Sequence, residues 1–414
     1  MKKFFVLITM CVIITFVSSD VFSGEVRTNF GDVDITLGGQ LRPRWELDDK
    51  STLATSNSDD FFSQRSRINI GVDGGSISGF VQFQDIRDWG EETSTIDRSA
   101  DGFDVHQAYL DVKEFAGLPL NIRVGRQEIG LDGHRLIGTV NWVQTARNHD
   151  GILISGNVGP AAAAFAYLRP DETDGGTSPN HDAHDWIAYS KAKINEMSAI
   201  SGILVWQNDD GDATTAAAVD RVTFGPRFTF KSGNIKARVE GYYQTGEESD
   251  TVDTQAFMVG ARVGYTFDTP KKPSITLWYD YLSGDDNTAD DKDKSFSNLY
   301  QTGHKYHGHM DYFVADANRT LGLHDIAVKG KISATDNVSL HGAVHYFMTV
   351  EDAADNGNDL GTEMDLAAKW KYDKHLGISA GYSHFFNDKL SRTGAASHGD
   401  EDADWAYVMM DFKF

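Results

Sequence analysis

The chain of 414 residues contains one cysteine, Cys11, which lies in an N-terminal segment typical of a secretory signal. Once that segment is removed no thiol remains, so disulfide bonds and cysteine catalysis are excluded. No later apolar run approaches the roughly 20 residues that a transmembrane helix needs, and the mean hydropathy is −0.39. A membrane β-barrel is compatible with these absences, because its apolar residues occupy every second position and its composition stays polar.

The N-terminal segment has the parts of a signal peptide. A short basic start precedes an apolar run over residues 4–17, and small residues precede the expected cleavage point. We therefore expect residues 1–23 to be removed during export. Residues 24–414 are predicted to form one domain, since no linker or change of composition divides them.

Apolar and polar residues alternate along nearly the whole remaining chain. Val33, Ile35 and Leu37, for example, alternate with Asp34 and Thr36. Successive strand side chains point to opposite sides, so each run has one face for lipid and one for a polar interior. The alternation predicts an all-β protein, a transmembrane antiparallel β-barrel of roughly 18 strands. The predicted strands are residues 33–47, 62–73, 77–88, 104–113, 120–129, 150–157, 161–168, 185–194, 198–207, 219–230, 234–245, 255–267, 273–283, 321–332, 337–348, 361–372, 376–386 and 404–414.

The connections between these strands alternate between short and long. Residues 74–76 form a short connection and residues 89–103 a long one, and residues 246–254 are predicted as another long loop. Outer-membrane barrels have short periplasmic turns and long extracellular loops, so the pattern also predicts the orientation. Pro43 and Pro226 fall inside predicted strands, where each would delete a ladder hydrogen bond, and we interpret them as bulges or strand ends.

The chain ends in a strand with one apolar face, formed by Val408, Met410, Phe412 and Phe414. This ending resembles the signal by which the barrel-assembly machinery recognises bacterial outer-membrane proteins. The alternative is a chain that simply ends in an edge strand. With the export signal, the pattern predicts a location in the bacterial outer membrane, in contact with lipid and lipopolysaccharide.

The formal net charge is −23, and most of the acidic excess lies in the long loops, yet the predicted lumen face is basic. The lumen-facing set includes the bases Arg42, Arg44, Arg65, Arg67, Arg123, Arg238, Arg262, Lys329 and Lys369 and a smaller number of acids such as Asp111 and Asp280. Rings of arginine and lysine select for anions, and arginine binds a carboxylate through two parallel hydrogen bonds. We interpret the lumen as a path for anionic solutes. In the alternative interpretation, these bases pair with acids and brace the barrel.

No metal, cofactor or nucleic-acid partner is predicted. The acidic loops are either a solvated outer surface or a place for divalent cations near lipopolysaccharide, and no loop has the spacing of a defined calcium site. His304, His307 and His309 share one loop, but spacing alone does not show that they converge on an ion. No serine nucleophile motif accompanies the histidines, so no catalytic residues and no enzymatic activity are predicted.

Several segments, in this order along the chain, resemble the alginate export family of outer-membrane channels. They include residues 41–46 (LRPRWE), 64–67 (QRSR), 106–111 (HQAYLD), 123–128 (RVGRQE), 135–138 (RLIG), 147–151 (RNHDG) and 302–306 (TGHKY). The resemblance implies an eighteen-stranded, monomeric barrel whose arginine-lined lumen passes an anionic polysaccharide. It also implies a constriction lined by Arg42, Arg44, Arg65, Arg67 and Arg123 and positioned by Asp111 and Asp280.

Together these features predict an outer-membrane channel that passes anionic solutes by passive diffusion, carboxylated saccharides or an alginate-like polysaccharide among them. A general non-selective porin and a structural or adhesin barrel are the alternatives. The sequence leaves open the solute, the direction of transport and any periplasmic partner. It also leaves open whether the loop over residues 284–320 folds into the pore or stands outward.

Overall fold

The computed structural model describes residues 26–49, 59–91, 103–173, 181–211, 218–393 and 399–414, and the predicted signal peptide lies outside them. The described residues form an antiparallel barrel of eighteen strands, in which each strand pairs with its neighbours in the chain. The first and last strands close the barrel, with a register that runs from Gln40 opposite Lys413 to Asp49 opposite Asp404. The predicted fold is confirmed.

In chain order the strands are β1 (Val33–Asp49), β2 (Asp59–Asp73), β3 (Ile77–Asp88), β4 (Phe103–Val112), β5 (Leu120–Gln127), β6 (His149–Val158), β7 (Ala161–Thr173), β8 (His181–Lys193), β9 (Ser198–Asp209), β10 (Val219–Ser232), β11 (Ile235–Ser249), β12 (Val252–Thr266), β13 (Ser274–Leu282), β14 (Leu323–Ser333), β15 (Val338–Met348), β16 (Asp359–Lys371), β17 (Leu376–Asn387) and β18 (Ala403–Lys413). Two further short strands, Val26–Phe30 and Lys292–Asp293, pair with β1 and β12. Among the described residues, no helix is long and apolar enough to cross a membrane.

The alternation of side chains follows the predicted phase. On β14, Ile326 and Val328 are 45% and 43% exposed on the outside, while Asp325 and Ala327, which alternate with them, are buried inside. On β1, Leu41 faces out and Arg42 faces in. A closed ladder leaves no strand edge unpaired, which is the condition for placing strands in lipid.

Aromatic side chains on the outer surface mark the long-loop end of the barrel. The Trp206 indole donates to Asp220 at 2.7 Å and the Tyr382 hydroxyl donates to Asp404 at 2.5 Å, both next to long loops. Trp370 and Tyr372 lie at the opposite, short-turn end. Two such girdles are typical of the two membrane–water interfaces of an outer-membrane barrel.

Two details of the prediction are wrong. Residues 246–254 are not a long loop, because β11 extends to Ser249 and β12 begins at Val252. Pro43 and Pro226 are neither bulges nor strand ends, since both lie within strands whose register does not shift there. Instead, two positions at each proline form no ladder pair. The pairing of β1 with β18 is interrupted between Leu41 and Arg44, and the pairing of β10 with β11 is interrupted between Phe224 and Arg227. A proline without an N–H is tolerated where the ladder is interrupted.

Leu366, which is 58% exposed in the middle of β16, gives a test of the lipid-facing surface. We expect Leu366→Arg to lower the free energy of unfolding in lipid vesicles by about 2–4 kcal/mol, because a charge at mid-membrane depth is costly. Val158→Arg is the matched control: Val158 is 67% exposed at the short-turn end of β6, where a charge should cost only about 0–1 kcal/mol. Equal losses in denaturant titrations of the two variants would contradict the assigned membrane depth.

Candidate channel constriction

Two long connections fold into the barrel and pair with each other there. We call residues 128–148, between β5 and β6, the first inward loop, and residues 283–322, between β13 and β14, the second inward loop. The backbone N–H of Gly138 donates to the carbonyl of Tyr300 at 2.8 Å, and the N–H of Tyr300 donates to the carbonyl of Leu136 at 2.9 Å. Ile137 is fully buried between them. The question that the sequence left open is therefore answered: the second loop folds inward.

Arginines of β1 and β2 hold the first inward loop. Arg42 donates to the carbonyl of Asn141 at 2.7 Å, and Arg44 donates to the carbonyl of Trp142 at 2.8 Å. Arg65 donates to the backbone of the same loop at 3.3 Å. These side chains lie inside the lumen, as their strand phase predicts, but they are buried against loop carbonyls. Their contact with a solute stays a prediction.

Arg67 and Arg123, also predicted for the constriction, have carboxylate partners. The Arg67 guanidinium lies 3.5 Å from Glu128 at the start of the first inward loop. Arg123 forms two hydrogen bonds of 2.8 Å with Asp111, the partner that the family resemblance implies. The same guanidinium stacks on the Tyr109 ring at 3.9 Å, so Arg123 is fixed to the wall on two sides.

A cluster of four arginines surrounds Glu240 on the opposite wall. Arg227, Arg238 and Arg262 come from β10, β11 and β12, and Arg135 comes from the first inward loop. Their nitrogens lie 3.8, 3.5, 3.6 and 3.6 Å from the Glu240 carboxylate, respectively. We call these five residues the arginine cluster.

Asp280 on β13 is the second acid beside the arginine cluster. Its carboxylate lies 2.7 Å from Arg135 and 3.5 Å from Arg262. Burial opposes the charge of Arg135, but Asp280 and Glu240 more than compensate and raise the pKa of its guanidinium. Four fixed positive charges thus face two carboxylates, which leaves the cluster with a positive excess.

Aromatic rings orient the bases of this cluster. The Arg262 guanidinium lies 3.0 Å from the centroid of the Trp278 ring, and the Lys329 ammonium lies 4.2 Å from it. Arg135 stacks on Tyr306 of the second inward loop at 4.4 Å. Burial raises the pKa of the Tyr306 hydroxyl to about 12, so it stays protonated and donates to the carbonyl of Gly133 at 2.7 Å.

A basic vestibule opens between the arginine cluster and the short-turn end. It is a cavity of about 520 Å³ whose lining includes Arg238, Arg262 and Trp278. The charged residues of its lining are the bases Lys193, Arg227, Lys231, Lys236, Arg238, Arg262 and Lys305 and the single acid Glu196. Lys369, another predicted lumen base, lies on β16 near enough to Lys331 for their charges to repel.

The second inward loop is held to the wall at several points around the barrel. The Tyr300 hydroxyl donates to Asp185 on β8 at 2.5 Å, and the backbone N–H of Met310 donates to Glu363 on β16 at 2.9 Å. The His304 ring stacks on Trp142 of the first inward loop, with centroids 4.2 Å apart. The loop is therefore a fixed part of the lumen that narrows the path.

Sequence reasoning did not single out Arg135 or Tyr306 as site residues. Both lie in loops, where no strand phase assigns a direction to a side chain. The available signal was their position in the segments RLIG and TGHKY, which carry the family resemblance. For the histidine-containing loop, the sequence left open whether it folds into the pore and gave no sign that Tyr300 and Tyr306 anchor it.

Solved structures with the same architecture include an outer-membrane protein and a BenF-like porin. OccK5 (OpdH) of Pseudomonas aeruginosa has a TM-score of 0.58 at 11% identity, covering 91% of this chain and 98% of that one. A BenF-like porin from Pseudomonas fluorescens Pf-5 has a TM-score of 0.61 at 9% identity, covering 92% and 98%. OccAB4 of Acinetobacter baumannii has a TM-score of 0.63 at 11% identity, covering 92% and 98%. At these identities the likeness shows the fold alone.

Sequence comparison identifies the family. Comparison with curated proteins found no match, but the sequence profile described as Alginate export matches residues 33–402, nearly the whole barrel. The family, the closed barrel and the porin-like architecture together show an outer-membrane channel. The chain belongs to the alginate export family.

Proposed function

We propose that this channel passes anionic solutes by passive diffusion, and that carboxylated saccharides, alginate-like chains among them, are the class it admits. The observation that carries the proposal is the charge of the vestibule, where seven bases face one acid. In a narrow space with low-dielectric walls, such charges focus the field and concentrate anions. The vestibule is positive whereas the whole chain is negative, so the charge of the lumen differs from that of the outer surface.

The basic charge is arranged in two layers along the path. Lys193, Lys231 and Lys236 at the mouth form no ion pair with the described residues, so their charges act on whatever enters. Deeper in, the charge of the arginine cluster is partly neutralised by Glu240 and Asp280. An anion that enters from the short-turn end therefore meets the lysines first and the guanidinium groups second.

The arginine cluster also has the chemistry for carboxylates. Arg227, Arg238 and Arg262 all line the vestibule, and Glu240 and Asp280 neutralise only part of their charge. A carboxylate offers two oxygens that match the guanidinium fork, and such charge-assisted pairs are stronger than neutral hydrogen bonds. A uronate chain, which repeats this group at every sugar, would gain more from the cluster than an inorganic anion does.

The inward loops favour a selective channel over a general porin. They cross the lumen and pair with each other, and the arginines of β1 and β2 fix them to the wall. The solute path is therefore narrow and lined by defined side chains. A wide aqueous pore, by contrast, would place most solutes beyond the reach of the wall charges at physiological salt, where the Debye length is about 8 Å.

Ion selectivity tests the role of the vestibule lysines. We expect the wild type to be anion-selective in planar bilayers under a salt gradient, as measured by the reversal potential. Changing Lys193, Lys231 and Lys236 together to glutamine should reduce the anion-to-cation permeability ratio by a factor on the order of ten, because the local potential falls. Arg126→Gln is the control, since Arg126 lies on the outer surface, paired with Asp150. Cation selectivity of the wild type would refute the proposal and show that the acidic loops dominate.

The preference for carboxylates is tested by blocking. We expect an oligouronate to block the ion current at lower concentration than a neutral oligosaccharide of equal length. Arg238→Lys keeps the charge but loses the guanidinium fork, so it should weaken the block by a factor on the order of ten, about 1.5 kcal/mol for one charge-assisted bond lost. Its reversal potential should stay near the wild-type value. Equal block by both sugars would contradict recognition of carboxylates.

The role of the arginines of β1 is tested by releasing the first inward loop. The double variant Arg42→Ala, Arg44→Ala removes the donors to the carbonyls of Asn141 and Trp142. We expect a larger single-channel conductance and more current noise, because the loop no longer holds one position. An unchanged conductance in a barrel that folds normally would show that these arginines do not control the width of the path.

A further inference from the structure

Two aspartates face each other inside the barrel beside the second inward loop. Asp280 on β13 and Asp325 on β14 are paired in register, and both are fully buried. Like charges directly opposite each other on neighbouring strands are destabilising. Such a pair needs positive charge close by.

His307 of the second inward loop completes a group of three. One ligand atom from each of Asp280, His307 and Asp325 lies within 4.8 Å of the other two, and His307 is fully buried as well. The Nδ1 atom of His307 lies 3.4 Å from Oδ2 of Asp325. This distance is long for a hydrogen bond, but two ligands of one tetrahedral zinc, with bonds of about 2.0–2.2 Å, are separated by about 3.4 Å.

Unpartnered atoms support a missing ligand at this place. Among the described residues, Oδ1 of Asp280 has no hydrogen-bond partner, and neither has Nε2 of His307 or of His345. His345 on β15 holds the other oxygen of Asp325 through its Nδ1 at 2.7 Å. Buried polar atoms without partners are costly in folded proteins, and here Asp280, His307 and His345, the three neighbours of Asp325, each carry one.

We propose that Asp280, His307 and Asp325 bind a divalent transition metal of the zinc class, with His345 positioning Asp325. Carboxylate oxygens and imidazole nitrogens are ligands that Zn²⁺ takes in tetrahedral sites. A hydrogen bond from a neighbouring side chain to a ligating carboxylate is the usual outer-shell support. His304 and His309, from the same loop, are not part of this group.

The neighbouring charges permit a cation. Trp278 donates to Oδ2 of Asp280 at 3.0 Å and the Arg135 guanidinium lies 2.7 Å from the same oxygen, which leaves Oδ1 for a metal. Glu363 and Asp365 lie on the same wall and, with the two aspartates, act on Lys329. Four carboxylates, those of Asp280, Asp325, Glu363 and Asp365, thus lie on this side of the arginine cluster and offset the charge of the neighbouring Arg135 and Arg262.

The site would fix the second inward loop. Asp280 precedes the loop, Asp325 follows it, and His307 lies near its middle. A metal bound to all three would tie the middle of the loop to the two strands from which it departs. The loop would then hold its inward position more firmly with the metal than without it.

Metal content tests the proposal directly. The mature protein, without a histidine tag, is folded in detergent, treated with a chelator, equilibrated with Zn²⁺ and freed of unbound ion before elemental analysis. We expect about one tightly held Zn²⁺ per chain, and its loss in His307→Ala and in Asp280→Asn. With Co²⁺ in place of Zn²⁺, the visible absorption of a tetrahedral site should appear in the wild type and disappear in both variants.

His324→Ala is the matched control. His324 is next to Asp325 but outside the barrel, where it pairs with the Tyr279 hydroxyl at 3.0 Å. This variant should hold zinc as the wild type does, and heat-modifiable gel migration shows that each variant is folded. A wild type that retains no more zinc than His307→Ala would overturn the site. Loss of zinc in His324→Ala to the same extent would place the metal elsewhere and overturn it as well.

Discussion

The closure of the backbone hydrogen-bond ladder between β1 and β18 is the constraint on which the rest of the structure depends. In lipid an unpaired strand edge has no water to satisfy it, so the strands must form a complete ring. Closure also fixes the two faces of every strand, with Leu41 outward and Arg42 inward on the same seam. The polar residues of each strand are thereby placed in the lumen, where they determine the chemistry of the channel.

A lumen full of charged side chains creates a second requirement, because buried charges need partners. The two inward loops meet it with backbone carbonyls as well as with side chains. Arg42 and Arg44 donate to carbonyls of the first loop, and Arg135 reaches across to Asp280. The loops are therefore held by the same bases that the ring placed inside, and they narrow the barrel at that level.

Most of what could be predicted came from the alternation of apolar and polar residues along the strands, which has a period of two. It gives the strand number and the inward phase of Arg238 and Arg262, whereas Asp111 as a partner of the arginines was implied by the family resemblance and is found paired with Arg123. Loops have no such period, so the direction of Arg135, Tyr306 and the second inward loop could not be obtained from spacing. The prolines show a further limit: a gap in the ladder at Pro226 leaves the register unchanged, and alternation alone does not distinguish it from a bulge.

Bracing, and the anion selection that we propose, involve different residues of the basic lumen. The arginines of β1 and β2 donate hydrogen bonds to the first inward loop, whereas Lys193, Lys231 and Lys236 at the vestibule form no ion pair with the described residues. A guanidinium suits bracing because its fixed fork reaches several carbonyls at once, and a flexible ammonium suits a solute that moves past. The arginine cluster is intermediate between bracing and selection, since Glu240 fixes its geometry without cancelling its charge. A field that attracts an anion and still releases it needs that partial neutralisation, because a site that binds too strongly does not conduct.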